Sequence, residues 1–410
     1  MKKPHVAILI IFALGLAWLN FPTFFKKPSS VLAVGSTKGE KLAIIQQEKP
    51  FDAKDIAMIR QGEHSVVVLT KAGTVYAAGD NNHGQLGVGF FGTEKLEELR
   101  KVHLPGSVKV KEIDTTAKHV IALTDTGDVW AWGMNISGQI GDGSNVDRSV
   151  PVKVLGGAVT IAAGHRFSAA LKKNGELWAW GMHCSPKTPG LAELAAQFAN
   201  SITAGGGYYG GTTQNDAAYC LEEQNLPIAS TTPRKIDSPV PFVSVSGGYG
   251  HLLMIDRNQD AWSFGCNAWG QLGRGYAYNS GGTRKITRVN FPPGVKVVQL
   301  DAGFRHSMAL DTQNRVWAWG YDLNDGTAVY RANRTDALKQ VPTTLRVEAI
   351  EAGYDISGFL TSEGLFVRGE TPQSPPIVQD KPTGPSFHKV SGKAVAFSLG
   401  YTQHFYWLKP

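Results

Sequence analysis

VTIAAGHRFSAALKKNGELWAWG, residues Val159–Gly181, contains the fold in miniature. An alternating apolar stretch runs into Gly164. A short loop follows, then a second alternating stretch, a tight turn and a third stretch carrying two tryptophans. Alternation at period two marks half-buried strands. The same order returns as VSVSGGYGHLLMIDRNQDAWSFG at Val243–Gly265 and as VQLDAGFRHSMALDTQNRVWAWG at Val298–Gly320.

The glycine after the first strand recurs at Gly62, Gly164, Gly205, Gly248, Gly303, Gly353 and Gly400, with Thr116 in its place once. Successive spacings are 54, 48, 41, 43, 55, 50 and 47 residues. Units of this length with three or four short strands are propeller blades. A third-strand aromatic follows a fixed loop position in the pairs His119 and Trp130, Phe167 and Trp178, Tyr208 and Tyr219, His251 and Trp262, and His306 and Trp317. These intervals predict an all-β, seven-bladed β-propeller over residues 51–410, with terminal strands closing the ring and eight blades as the alternative. Thr93–Lys101 and Leu191–Asn200 read as short helices inserted between blades.

A second motif follows the third strand: NNHGQLGVG at Asn81–Gly89, NISGQIGDG at Asn135–Gly143 and NAWGQLGRG at Asn267–Gly275. With the His-Ser and Trp-Ala-Trp-Gly elements, it resembles the regulator of chromosome condensation repeat, over residues 51–410. Leu86, Ile140 and Leu272 are expected to plug between blades, with one tryptophan of each pair facing a neighbour. Three repeats depart from the pattern, with MHCSPKTPG after Gly181, NDGT at Asn324–Thr327, and no His or Trp in GYDISGFLTSEGLFVRG.

The formal charge is +7, of which Lys2, Lys3, Lys26 and Lys27 carry four, and no Lys/Arg block occurs in the body. Nucleic-acid binding is therefore not expected. Lys2 and Lys3 precede an uncharged run, Val6–Leu19, whose apolar character continues to Phe25. Residues 1–27 thus read as a hydrophobic N-terminal helix, either a signal peptide cleaved after Gly35 or an anchor spanning a membrane through residues 6–25. Either fate places the body outside the cytoplasm, as a secreted, periplasmic or membrane-anchored protein. Residues 28–50 read as a linker. Of three cysteines, Cys184 and Cys220 fall in neighbouring repeats and are the favoured disulfide, with three buried thiols as the alternative.

His64–Ser65 and His306–Ser307 look like base and nucleophile, but their recurrence at one blade position reads as structure, bonding a turn inside each blade. No metal or cofactor is called for, and no catalytic residue. The residues after each anchor glycine form the candidate recognition ring: His64, Lys118, His165, Arg166, Tyr249, Phe304, Arg305, Tyr354, Asp355 and Tyr401. Tyr, Phe and Arg are the types that anchor protein interfaces. The resemblance implies roles in GTPase exchange, ultraviolet sensing or, in a secreted bacterial member of similar layout, β-lactamase inhibition. Export argues against the first. Phe304, in the place of the sensor's tryptophan, argues against the second. The expected function is a monomeric, non-enzymatic, extracytoplasmic scaffold binding another protein. The alternatives are an inhibitor of a β-lactamase or penicillin-binding protein, and a cell-envelope carbohydrate-binding protein or enzyme.

Overall fold

A computed structural model describes residues 32–36, 43–44, 51–181, 230–321, 334–369, 388–399 and 404–408, apart from positions 107, 268–269, 275–282, 342, 354–355 and 392–395. The chain is a β-propeller. Strands β1 (Leu32–Ser36) and β2 (Ala43–Ile44) precede the first blade, which consists of β3 (Ile56–Gln61), β4 (Ser65–Thr70), β5 (Val75–Asn81) and β6 (Gly92–Lys101). Five further antiparallel blades of four consecutive strands follow, with inner strands β7 (Val110–Thr115), β11 (Ala158–Ala163), β15 (Phe242–Gly247), β19 (Val297–Ala302) and β23 (Val347–Ala352).

One more four-stranded sheet has a different origin. Its inner strands, β27 (Ala396–Leu399) and β28 (His404–Leu408), come from the C-terminal end of the chain. Leu32–Ser36 then pairs antiparallel with His404–Leu408, and β2 completes the sheet. β27 packs between the last blade and β3 of the first, so the ring closes on strands from both ends of the chain. This removes open sheet edges at the seam.

The expectation of seven blades from consecutive repeats, or of eight, is thereby corrected: six blades are consecutive and the closing sheet is composite. The unit anchored at Gly205 lies outside the described residues. It falls in residues 182–229, which connect β13 (Leu177–Gly181) to β14 (Ser230–Lys235) within the third blade. Thr93–Lys101 is not a helix but lies in β6, where two register shifts against β5 break the period of two and mimic helical spacing. The segment read as a linker contains β1 and β2. The N-terminal hydrophobic helix and Leu191–Asn200 lie outside the described residues. Among the described residues, no helix is long and apolar enough to cross a membrane.

What joins blade to blade is a buried backbone carbonyl. Asn135 Oδ1 accepts from the Ile140 N–H, curling the NISGQIG loop so that the Gln139 carbonyl points at the next blade. There it accepts from Trp180 Nε1 at 3.0 Å and from Ser168 Oγ at 2.8 Å. The Gln85 carbonyl accepts from Trp132 Nε1 in the same way, and the Gln271 carbonyl from Trp319 Nε1 and Ser307 Oγ. The fully buried Leu86 and Ile140 pack in the same clusters as Trp132 and Trp180. Gly141 is required beside this bond: its φ is +89°, and a Cβ there would stand 2.5 Å from Trp180 Nε1.

The tryptophan is present only where the preceding blade supplies the carbonyl. The third blade lacks the Gly-Gln motif, and its successor has Phe264 at the tryptophan position. The fifth lacks it too, and its successor has Arg368. A similar rule links the histidines. His119, His251 and His306 each bond, through Nε2 at 2.9 Å, the Oγ of a serine in the following blade: Ser168, Ser307 and Ser357. Where Phe167 replaces the histidine, Leu252 replaces the serine, and Ser65 is matched by Val120. His306 and Ser307 thus bond between blades, not to a turn inside one, which corrects the sequence expectation at that pair.

Two outcomes follow from this interface. Gly141→Ala is expected to lose about 2–4 kcal/mol in denaturant unfolding, through positive φ and overpacking, and less in a Trp180→Phe background. His251→Phe and Ser307→Leu are each expected to cost roughly 1–3 kcal/mol singly, by leaving a buried polar partner unsatisfied, yet less together than their sum. Additive losses in a double-mutant cycle would contradict the pairing rule. Separately, a chain beginning at residue 37 lacks β1 and is expected to melt earlier than the full chain in calorimetry.

Candidate functional site

The seven inner strands run parallel around an axial channel of about 490 Å³. Alternate residues of each inner strand face it. Most of these side chains are polar, and several serve the neighbouring strand. Adjacent inner strands are not paired by backbone bonds, so their N–H groups need acceptors. Glu112 Oε1 accepts from Thr160 Oγ1 and the Ile161 N–H. Asp114 Oδ2 accepts from the Ala163 N–H at 2.7 Å, and Asp301 Oδ2 from the Ala352 N–H at 2.6 Å. Glu351 Oε1 accepts from Ser398 Oγ and from the Leu399 N–H, and Ser398 Oγ accepts in turn from the Gln61 N–H. That last relay joins the sixth blade, the closing sheet and the first blade.

Four carboxylates therefore share this cavity with Arg60, whose Nε lies 3.5 Å from Asp114 Oδ1. Burial raises all four carboxyl pKa values, with Arg60 opposing for each: Glu351 to about 8, Asp301 to about 6, and Glu112 and Asp114 upward. Burial alone would lower Arg60, but the surrounding carboxylates raise it. Among the described residues no His, Cys, Asp and Glu group is arranged to hold a metal ion.

The first-to-second-strand loops all lie on one face, here called the loop face, where the third-to-outer connections also begin. The Asp80 N–H bonds the His64 carbonyl and the Met134 N–H the Lys118 carbonyl. Backbone bonds from Glu63 to Ala117, His165 to Gly248, Tyr249 to Gly303 and Phe304 to Gly353 pass from blade to blade around the mouth.

The structure brings much of the predicted ring together. The His165 and Tyr249 rings lie 4.3 Å apart, Tyr249 meets Phe304 edge-on at 4.2 Å, and Arg305 sits over Phe304 at 4.6 Å. Lys118 Nζ is 3.5 Å from Glu63 Oε2. But Phe304 and Arg305 are only 6% and 9% exposed, so they build the mouth from inside and do not present a free surface. Arg166 is half-buried and His64 exposed. Burial and the Arg166 charge lower His165 to about 3. Tyr354, Asp355 and Tyr401 lie outside the described residues.

Sequence reasoning missed the exposed apolar groups. Phe90 and Phe91 are 50% and 52% exposed, Ile136 42% and Val146 60%, all in the motif loops of the first two blades. These loops are fastened together: His83 Nδ1 lies 2.7 Å from Asp147 Oδ2, Asp147 Oδ1 accepts from the Asn135 N–H, and the Gly89 N–H bonds the Ser149 carbonyl. The doublet Phe90–Phe91 directly after GQLGVG was the available sequence signal.

Cys266 is held in a disulfide. The chain's other two cysteines are Cys184 and Cys220, the pair favoured from the sequence. Both candidate partners lie outside the described residues.

Profiles of the regulator of chromosome condensation (RCC1) repeat match residues 110–139, 126–171, 158–185, 259–310 and 297–326. Over those segments the chain is similar to the RCC1 repeat. The ultraviolet-B receptor UVR8 of Arabidopsis thaliana is 28% identical over 66% of this chain and 54% of its own length. Mouse RCC2 is 27% identical over 63% of this chain and 48% of its own. Human HERC2, an E3 ubiquitin-protein ligase, is 27% identical over 70% of this chain but only 5% of its own length. The chain thus spans about half or less of these relatives. Two solved structures share the fold at a TM-score of 0.69. Human WBSCR16 is 18% identical, with 93% of this chain and 98% of that one covered. Yeast RCC1 (Prp20) bound to Kap60 is 16% identical, with 92% and 88% covered.

The pH dependence of this propeller follows from its buried groups. Glu351 holds a proton in the fold that the unfolded chain has lost, so stability falls as pH rises from about 4.5 towards 8. His119 and His306, lowered by burial to about 4, and His251, to about 3, stay neutral in the fold while the unfolded chain protonates. Stability therefore also falls as pH drops below about 6.5. Melting temperature is expected to peak near pH 6.5. Glu351→Gln is expected to flatten the alkaline limb, worth roughly 1–2 kcal/mol, and to steepen the acid limb between about pH 4.5 and 6.5, where Glu351 opposes the histidines.

Proposed function

We propose that this RCC1 propeller is a non-enzymatic, extracytoplasmic scaffold that holds another protein on its loop face. The observation carrying the reading is the exposed group Phe90, Phe91, Ile136 and Val146, set in loops tied across two blades. Aromatic side chains on a rigid support act as interface anchors at low entropic cost. Related propellers support recognition as the task. Yeast Prp20 is described bound to Kap60, and its binding to Gsp1p and histones is part of another structure's description.

Extracytoplasmic placement is supported by the charged and then apolar residues 1–27 and by the Cys266 disulfide, a bond that persists in oxidising compartments. If the apolar segment is retained, it anchors the scaffold in a membrane. Cleavage after Gly35 would remove most of β1, so closure of the ring favours a cut upstream of Leu32 or none.

The envelope-enzyme reading calls for converging carboxylates, and the channel provides them. Each is already engaged in holding a neighbouring strand, which leaves the scaffold reading stronger. Inhibition of a β-lactamase or penicillin-binding protein is a special case of the scaffold, tested by inhibition assays with the full chain.

Full-length chain is to be used as bait in envelope extracts. Phe90→Ser with Phe91→Ser is expected to weaken retention of the specific partner by tenfold or more, by the scale of two interface anchors, with unchanged melting. Retention unaffected by that pair would move the interface elsewhere. Arg305→Ala and Phe304→Ala are expected instead to lower stability, because both are buried.

A further inference from the structure

The face opposite the loops carries the second-to-third-strand turns and the starts of the inner strands. The Lys71 N–H bonds the Asp55 carbonyl, the Asp125 N–H that of Lys109, and the Thr312 N–H that of Lys296. Every inner strand from β3 to β23 has a register shift near its start, leaving one residue unpaired at this rim. In three successive blades that residue is a valine facing solvent: Val159, Val243 and Val298, at 41%, 51% and 48% exposure. Bulge residues have no fold reason to be apolar, and neighbouring blades place Lys111 and Glu348 at the same position.

The charges around this rim are unequal. Lys54, Lys71, Lys109, Lys111, Lys173, Arg257 and Arg346 are exposed there, against Asp52, Asp125, Asp237, Glu348 and Glu363. The chain also enters the propeller on this side. β1 runs antiparallel to β28, which is antiparallel to β27, so Leu32 aligns with the start of an inner strand. Residues 26–31, including Lys26 and Lys27, separate Leu32 from the apolar run ending at Phe25. Fully extended, they reach at most about 20 Å.

We infer that this turn face lies against an anionic lipid surface, with Val159, Val243 and Val298 touching the headgroup layer and the surrounding lysines and arginines meeting lipid phosphates. The inference rests on the reading of residues 6–25 as a retained anchor and assigns the anchored body an orientation. Small apolar contacts combined with basic residues are how a folded surface engages acidic lipids, each cation adding modestly. The loop face then points away from the membrane, towards soluble partners.

The test is amide hydrogen exchange of the full-length chain reconstituted in phosphatidylcholine vesicles with and without phosphatidylserine. Exchange around Val159, Val243 and Val298 is expected to slow severalfold when phosphatidylserine is present, while Asn81–Phe91 is unchanged. Val159→Asp, Val243→Asp and Val298→Asp together are expected to abolish the slowing. Because all three side chains are exposed, melting should hold, and Lys111→Gln with Arg346→Gln gives a second, milder variant that should reduce the slowing. Slowing on the loop face, equal exchange on both faces, or slowing indifferent to phosphatidylserine overturns the inference while leaving the anchor intact. A chain that does not float with either vesicle overturns the anchor and the inference together.

Discussion

A carbonyl oxygen, buried between blades and taken by an indole N–H, fastens three seams of this ring, and at two of them a serine hydroxyl shares it. A buried carbonyl needs a donor, and a buried indole needs an acceptor. Each therefore fixes the other across the interface, and the glycine beside them must lack a side chain because the indole occupies the space. The Asn of the motif shapes the loop, the Gln presents its carbonyl, the Leu or Ile fills the seam and the Gly admits the tryptophan. One repeat's motif is thus a specification for its successor.

The axis obeys the same accounting. Inner strands of adjacent blades face each other across the channel without backbone pairing, and acidic side chains supply the missing acceptors. Concentrating carboxylates in a desolvated space raises their proton affinity, which explains why Glu351, at the seam where the chain's ends meet, is displaced furthest among them towards neutrality. The buried histidines of the blade interfaces are displaced the other way. Opposite displacements of two structural networks, rather than a catalytic arrangement, give this propeller its pH behaviour.

Period-two alternation and the anchor glycines made the blades legible, because hairpins of fixed length recur whenever their packing recurs. Gly205 misled for a local reason: a glycine-rich run and Tyr219 copy the spacing of a blade without the alternating apolar face that a blade needs. The closing sheet was half visible in the terminal repeat. Its other half, Leu32–Ser36, is too short to declare itself and gains meaning only by pairing with His404–Leu408. At the site, the predicted ring residues do meet at one mouth, yet sequence position cannot say whether Phe304 faces water or a neighbour's ring. That depends on Tyr249 from another blade. Phe90 and Phe91 were legible as residues but not as exposed ones, since the apolar residues just before them and at the matching loop, Leu86 and Ile140, fill the seam.

The departures from the repeat then acquire a physical meaning. The third, fifth and sixth blades lack the Gly-Gln motif, and their connections to the outer strand, residues 182–229, 322–333 and 370–387, follow no common length. Where the motif is missing from the sequence, the next blade has no tryptophan at the matching position: Phe264 and Arg368 stand where Trp132, Trp180 and Trp319 stand elsewhere. Release from that bond frees a connection from the geometry of its neighbour, so its sequence and length can change without breaking a seam. Those connections all leave from the loop face. The regular interfaces therefore confine this packing constraint to the blades that follow the motif.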